Sequence, residues 1–520
     1  MAIRRNRRIS ESFDACTRTY LVVKLHHPSD SSMAEPTEIE QWGVFEETLS
    51  GPSDGNPYTD VTLTAEFRHA NRTISVRGCY DGNGEYLVRC MPDIPGRWTY
   101  RTESSAESLD GIEGSFDCTE AEEDNHGPVT VADPYHLKYA DGTDYRPFGT
   151  TCYVWNHQDL TLQEETLDQL ASGPFNKIRM CVFPKWFRYN RREPLHHPFA
   201  EGEDGRRDFS QVNPESFAHL ERQIKRLQEL GVEVDLILFH PYDRWGYEDM
   251  GEEADDRYLR YVVARLGAFR NVWWSLANEW DLLDAKTETD WDRFFRIILE
   301  EDPYDHLRSI HNCREFYDHH KSWVTHLSVQ YRSLNDVRKW RDEYGKPVLV
   351  DECGYEGDVP SNWGSLSAHH MVNQFWVGVT SGGYVTHGET YRHPDDVLWW
   401  SHGGTLHGES EERIEFLREL VDEAPSSFEP CTRAPDARGM ERPLGIGADD
   451  RYFLFYFEFY QPGVWNLPLP EEGEFEIEVI DPWEMTVEPL DGSYSGPSAE
   501  IELPGEDYMA IRARRISSED

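Results

Sequence analysis

NVWWSLANEWD, residues 271–281, reads as a short buried strand that stops abruptly at an Asn-Glu pair. PVLVDE, residues 347–352, has the same form and also ends in a glutamate, Glu352. Strict alternation along each strand places Trp273, Ser275, Ala277 and Glu279 on one face of the first. The same rule groups Val348, Val350 and Glu352 on the second and turns Asp351 toward the opposite, helix-facing side. A carboxylate at the carboxyl end of a parallel strand lies where (β/α)8 barrels keep their active sites, and two on different strands can face each other across the mouth.

The surrounding chain carries the same reading outward. From Tyr145 the pattern is strand, loop, helix, repeated eight times, with strands expected at 148–155, 175–183, 232–240, 271–278, 307–313, 324–331, 347–352 and 382–387. The clearest helix has Asn213 as N-cap, Pro214 in its first turn, Phe217, Leu220, Ile224, Leu227 and Leu230 on one face, and Gly231 as its stop. Each crossover helix returns the chain to start a parallel neighbour, so eight units predict an α/β fold, a (β/α)8 TIM barrel over residues 131–425. Before it, VTLTAEF, TISVRGCY, EYLVRCMP and RWTYRTE alternate between turn signals and predict an immunoglobulin-like β-sandwich at 33–120, followed by an acidic linker at 121–130. Centring a hairpin on the DGNG turn at 81–84 pairs Cys79 with Tyr86. After it, RYFLFYFEFY, FEIEVIDPW and YMAIRARRI predict a small C-terminal β-sandwich at 426–520.

Composition bounds the environment. With 520 residues the chain exceeds a single core, and its net charge of −46 with only nine lysines, at 24, 138, 177, 185, 225, 286, 321, 339 and 346, has the character of a halophilic surface. So acidic a surface argues against nucleic acid as a partner. No apolar run approaches the roughly 18 residues that span a bilayer, and the apolar stretch near Tyr20 is too short for a signal-peptide core, so no membrane association and a cytoplasmic location are expected. The basic residues 1–32 clash with the acidic remainder and read as disordered or as an upstream extension of the reading frame. The nine cysteines show no metal-ligand spacing and read as reduced thiols. The His-His pairs beginning at 26, 196, 319 and 369 point their side chains to opposite faces, so neither metal nor cofactor is expected.

Two facing carboxyl groups are the minimum machinery for cleaving a glycosidic bond, one as proton donor and the other as nucleophile. Other polar and aromatic residues fall at the expected strand ends: Trp155 and His157 after the first, Arg179 in the second, and His240 ending the third. Asn278 precedes Glu279, while His311 and Asn312 close the fifth strand, Gln330 and Tyr331 the sixth, and His387 and Glu389 the eighth. Trp400 lies in the long loop that follows. Such amide, imidazole, guanidinium and indole groups at one face of a barrel fit a sugar pocket, with a carbohydrate as the partner.

The strand-four Asn278-Glu279, the strand-seven Glu352 and Tyr331 on strand six resemble clan A of the glycoside hydrolases, the retaining (β/α)8 enzymes that include family 5. The three-part layout, with WGVFEETLSG near the start and IDPWEMTV, YSG and LPGEDYMAIR near the end, resembles a group of proposed glycosidases flanked by domains of unknown function 5060 and 5605. The resemblance implies Glu279 as acid/base, Glu352 as nucleophile, Asn278 on the substrate 2-hydroxyl, and Arg179 and Tyr331 holding Glu352 ionised. It implies a retaining β-glycosidase acting on an oligosaccharide or polysaccharide fragment. An apiosidase-like or other pentosidase is the alternative, and a non-catalytic carbohydrate-binding barrel a third reading; oligomeric state stays open.

The charge pattern gives a first test. If salt relieves carboxylate self-repulsion, the thermal midpoint should climb steeply between about 0.1 and 2 M KCl, past the point where the Debye length has already shrunk to a few ångströms. A midpoint indifferent to KCl in a thermal melt would remove the halophilic reading.

Overall fold

The computed structural model describes residues 37–392, 398–432, 443–497 and 499–516, and the extension expected at 1–32 lies outside them. Eight parallel strands form the central sheet: β1 (Phe148–Thr151), β2 (Lys177–Cys181), β3 (Glu233–Phe239), β4 (Val272–Ala277), β5 (Arg308–Ser309), β6 (Leu327–Gln330), β7 (Val348–Glu352) and β8 (Tyr384–His387). Their spatial order is β5-β4-β3-β2-β1-β8-β7-β6, and a bridge between His311 and Ser328 brings the two ends together. The barrel is thus nearly closed, as the repeated pattern predicts.

Helices α1 (Leu160–Ser172), α2 (Pro214–Glu229), α3 (Glu252–Leu266), α4 (Glu288–Glu301), α5 (Val337–Tyr344), α6 (Ala368–Thr380) and α7 (Glu411–Asp422) follow the strands. Asn213 caps α2 by accepting from the Glu215 N–H, and Gly231 just beyond it adopts φ +69°. The fifth unit departs from the expected repeat, because residues 310–326 contain no helix. Its sequence, IHNCREFYDHHKSWVTH, lacks apolar residues at helical spacing. The Asp281 carboxylate instead ties the loop down by accepting the N–H groups of Cys313, Arg314 and Glu315.

Strand alternation holds only in part. Trp273 and Leu349 face inward and meet Leu307, Val129, Leu137 and Tyr145 in one cluster. The last three belong to a three-stranded sheet of residues 129–132, 136–139 and 144–145, which packs against this end of the barrel. Val348 and Val350 pack outward in the strand–helix core. Asp351 is therefore an inward residue, contrary to the expectation. Its carboxylate takes Lys177 Nζ at 2.6 Å, Ser328 Oγ at 2.5 Å and Thr386 Oγ1 at 2.8 Å. A register shift between β6 and β7, which sets Gln330 opposite Glu352, lets Glu352 reach the mouth although it follows an inward residue.

Lys177 also pairs with Asp235 at 3.1 Å, and Arg179 reaches the same carboxylate oxygen at 3.3 Å. All four side chains are fully buried. Burial alone would push the Asp351 carboxyl up, but Lys177 and Arg179 outweigh it and hold it well below the usual carboxylate range.

The N-terminal domain stacks a five-stranded sheet on a three-stranded one around Phe45, Phe67, Trp98 and Phe116. In its DGNG hairpin a bulge shifts the register, so Cys79 pairs with Leu87 and Tyr80 with Tyr86. Buried Arg89 and Arg265 converge on Glu221 of α2, joining this domain to the barrel. The C-terminal domain has a six-stranded sheet whose Leu444, Ile446, Leu454 and Tyr456 join the main core, while Phe453, Phe455 and Ile511 form a separate cluster with Leu467 and Ile501. Among the described residues, no helix is long and apolar enough to cross a membrane.

Removing one partner of a buried ion cluster leaves an uncompensated charge, whereas an exposed pair is worth little. Lys177→Met should therefore lower stability by about 3–5 kcal/mol in denaturant unfolding. Arg101→Ala, which breaks an exposed pair with Glu113, should change it by less than about 1 kcal/mol.

Candidate active site

The site is built where β4 and β7 end. Beyond Ala277 the extended backbone stops, and Glu279 takes φ +54°, ψ +56°, a left-handed conformation uncommon for glutamate. This turn is why Asn278 and Glu279, adjacent in sequence, both reach the mouth. Each carboxyl group is almost wholly buried. Gln330, with its amide nitrogen turned inward, donates to Glu352 Oε2 at 3.3 Å and to Glu279 Oε1 at 3.2 Å. A single nitrogen therefore spans the gap between the two acids. The Gln330 backbone is in turn clamped by Asn312, whose Oδ1 accepts its N–H at 3.1 Å and whose Nδ2 donates to its carbonyl at 3.4 Å.

The environments of the two acids differ. Glu352 accepts from the Tyr153 hydroxyl and from Trp363 Nε1 at 3.1 Å, with Arg179 Nη1 3.8 Å from the same oxygen that Tyr153 reaches. Arg179 also donates to Asn278 Oδ1 at 3.3 Å, and Tyr153 reaches that atom at 2.9 Å. Glu279 accepts from the Tyr242 hydroxyl and from Asn278 Nδ2 at 3.2 Å. Burial and then the nearby Glu352 charge push the Glu279 carboxyl up to about 7, against the opposing pull of Tyr242 and Lys185. One acid is thus poised to hold a proton near neutrality while the other sits among hydrogen-bond donors and a guanidinium.

Lys185, missing from the strand-end reading, stands over this pair. Its ammonium lies 3.5 Å from the Tyr153 ring centroid, 4.5 Å from that of Tyr242 and 5.9 Å from that of Trp400. Burial lowers its pKa. Tyr242 was missed as well, since it lies two residues past His240 in a loop. The scarcity of lysine was a usable signal for Lys185, and the HPYD sequence after β3 for Tyr242.

Several expected pocket residues lie elsewhere. Tyr331 does not hold the Glu352 carboxylate: its backbone N–H donates to the Glu352 carbonyl at 2.9 Å, and its ring, 41% exposed, stands edge-on to Trp340. Tyr153, not Tyr331, donates its hydroxyl to the Glu352 carboxylate. Trp155 is fully buried in the strand–helix core. His157 is turned to the Cys181 carbonyl at 3.3 Å, beside a small cavity with Asn156 and His219. His240 spends both ring nitrogens on backbone, Nε2 on the Phe183 carbonyl and Nδ1 on the Tyr242 N–H, so it positions the Tyr242 loop. His311 is wholly buried beside β5, and burial holds it neutral. His387 faces outward and stacks on Phe175 at 5.0 Å, while Glu389 is engaged by the N–H groups of His407 and Gly408. Trp400 stays at the mouth, packed against Tyr153, Tyr355 and Phe187. These departures share a cause, since a residue just past a strand end can turn inward, outward or along the rim.

The comparisons with known proteins agree with this architecture. A proposed glycoside hydrolase from Bacteroides vulgatus ATCC 8482 is 38% identical, with a TM-score of 0.86 over 92% of this chain and 100% of that one. A family 5 glycoside hydrolase from the same organism (TM-score 0.57, 16% identity, 75% of this chain and 94% of that one) and another glycoside hydrolase (TM-score 0.57, 14% identity, 76% and 98%) share the fold. No curated protein matches. Residues 38–105 and 441–514 match domains of unknown function 5060 and 5605. Residues 132–426, more than half of the chain and the whole of the barrel just described, match the apiosidase-like catalytic domain, and the chain belongs to that family of glycoside hydrolase-like enzymes.

Proposed function

We propose that the protein is a retaining glycosidase in which Glu279 is the acid/base and Glu352 the nucleophile. The observation that carries this reading is the shared Gln330 nitrogen, because the two carboxylate oxygens it joins cannot be farther apart than the sum of its 3.3 and 3.2 Å contacts. That limit only touches the lower edge of the inverting range, about 6.5 Å, and leaves room for the retaining separation of about 5–5.5 Å.

The mechanism follows from the two environments. The Glu279 carboxyl, protonated near neutrality, donates its proton to the leaving oxygen. The Glu352 carboxylate, oriented by Tyr153, Trp363 and Arg179, attacks the anomeric carbon to form a glycosyl ester. Ionised Glu279 then takes a proton from the water that attacks the ester, and Glu352 leaves as carboxylate. Asn278, oriented by Arg179 and Tyr153, would hold a substrate hydroxyl next to Glu352, and Lys185 and Trp400 form the adjoining wall. The leading substrate class is a β-linked oligosaccharide or polysaccharide fragment. A second reading, a pentosidase releasing apiosyl groups, is favoured by the family match. A panel of aryl hexosides and pentosides, including an apioside, assayed in molar KCl separates the two.

Two further outcomes are expected. Glu352→Gly should abolish turnover and regain it with azide or formate, giving an inverted product, because the anion fills the hole left by the nucleophile. Glu279→Ala should spare dinitrophenyl glycosides yet lose on the order of 10² to 10⁴-fold on substrates with poor leaving groups. Identical losses on both leaving-group classes, with no rescue, would leave a carbohydrate-binding barrel as the better reading.

The pH profile tests the proton donor. Glu279 must be protonated, so kcat/KM should fall as pH rises through about 7. The Tyr242 hydroxyl favours the ionised carboxylate, so Tyr242→Phe should move this alkaline limb to higher pH. A limb unmoved in Tyr242→Phe would assign it to another group.

A further inference from the structure

Outside the barrel wall, behind β8, lies a buried cluster that the proposed reaction does not use. Residues 356–357 and 389–390 pair as a short parallel ladder that sets Glu356 directly beside Glu389. Both carboxylates are buried, and a ring nitrogen of His387 lies with one oxygen of each inside a 4.8 Å triangle. Two acids side by side in a dry site repel each other unless a proton or a cation lies between them.

The surroundings resemble the outer shell of a metal centre. Glu389 accepts the His407 and Gly408 N–H groups at 2.8 and 2.7 Å. Glu356 accepts the Glu409 and Ser410 N–H groups at 3.0 and 3.3 Å, the Tyr391 hydroxyl at 3.2 Å, and the Ser410 hydroxyl. A Cβ on Gly408 would lie 2.6 Å from the Glu356 carboxyl group, so only glycine lets this loop lie flat upon the acids. Glu389 is thereby fixed in direction with a lone pair on each oxygen to spare, while each Glu356 oxygen already accepts two hydrogen bonds, so a cation there would displace the long Tyr391 hydroxyl or Ser410 N–H contact.

The histidine supplies the independent observation. Its Nδ1 is 3.3 Å from Thr150 Oγ1, an acceptor of the Trp399 indole N–H at 2.8 Å. Its Nε2, in a ring only 1% exposed, has no partner among the described residues. A metal-bound imidazole commonly has this form, with one nitrogen anchored to an oxygen and the other free to ligate.

We propose that Glu356, His387 and Glu389 bind one first-row divalent cation, with zinc the natural occupant, as a structural clasp between the β7 and β8 loops and the turn that starts α7. One imidazole and two carboxylates suit zinc better than calcium or magnesium, which prefer larger all-oxygen shells. Binding neutralises the paired carboxylates, and any proton that Glu389 carries leaves for solvent. The clasp is independent of the glycosidase assignment.

The test is elemental analysis of the purified protein, followed by dialysis against chelator and titration with Zn2+ under thermal melting. About one zinc per chain and a midpoint raised by several degrees are expected, with Co2+ in its place giving the visible bands of a low-coordinate site. His387→Gln and Glu389→Gln should lose the metal and the midpoint shift, while Glu279→Ala keeps both. Wild-type protein that takes up no stoichiometric Zn2+, shows no Co2+ bands and melts alike with Zn2+ or chelator would overturn the proposal, leaving a carboxyl pair that shares a proton. Zinc retained undiminished in both His387→Gln and Glu389→Gln would overturn it too. The wild-type measurements decide the matter even if the variants fail to fold.

Discussion

Beneath the mouth, the fully buried cluster of Lys177, Asp235, Asp351 and Arg179 constrains everything above it. Charges removed from water persist only when geometry and hydrogen bonds compensate them, so the three strands that carry them have one workable register. Arg179 extends the cluster upward by donating to Asn278 and standing near Glu352. The catalytic candidates thus rest on an ionic floor, and the polar contacts that orient Asn278 and Glu352 continue the network that specifies the barrel.

From that floor the asymmetry of the site follows. Glu352 inherits the positive end of the network, together with the Tyr153 hydroxyl and the Trp363 indole. Glu279 lies farther along the rim, where burial and the Glu352 charge dominate and raise its carboxyl pKa. The separation of roles between two chemically identical side chains is therefore a property of position. Tyr153 and Tyr242 make it more definite, since each donates its hydroxyl to one glutamate while its ring faces the Lys185 ammonium. Rigid aromatic rings hold the cation above the two glutamates, in a chain where acids outnumber bases 97 to 51.

The flanking domains are fastened to the scaffold by buried contacts. Arg89 and Arg265 meet on Glu221 where the N-terminal sandwich adjoins α2, and the C-terminal sheet shares its inner face with α6 and α7. Both contacts lie on the helical layer, leaving the mouth to the loops that carry Lys185, Tyr242, Trp363 and Trp400. Loops on a rigid frame are where binding groups concentrate, because the frame sets their anchor points while their own sequences remain free to vary.

Period and punctuation alone determined the repeated strand–helix units, the cap and stop of α2, the two flanking β domains, and the arrival of Glu279 and Glu352 at strand ends, because those features depend on local spacing. The same rules failed where regular spacing ends. Glu352 reaches the mouth beside inward Asp351 because a register shift breaks the alternation, the fifth unit lacks its helix, and Tyr153 rather than Tyr331 reaches Glu352. His387 and Glu389 look like mouth residues in sequence, yet one faces the helices and the other is engaged by a distant loop. Such facts belong to the tertiary structure, because the direction of a side chain beyond the last ladder hydrogen bond is set by which neighbours fold against it, and those neighbours come from every part of the chain.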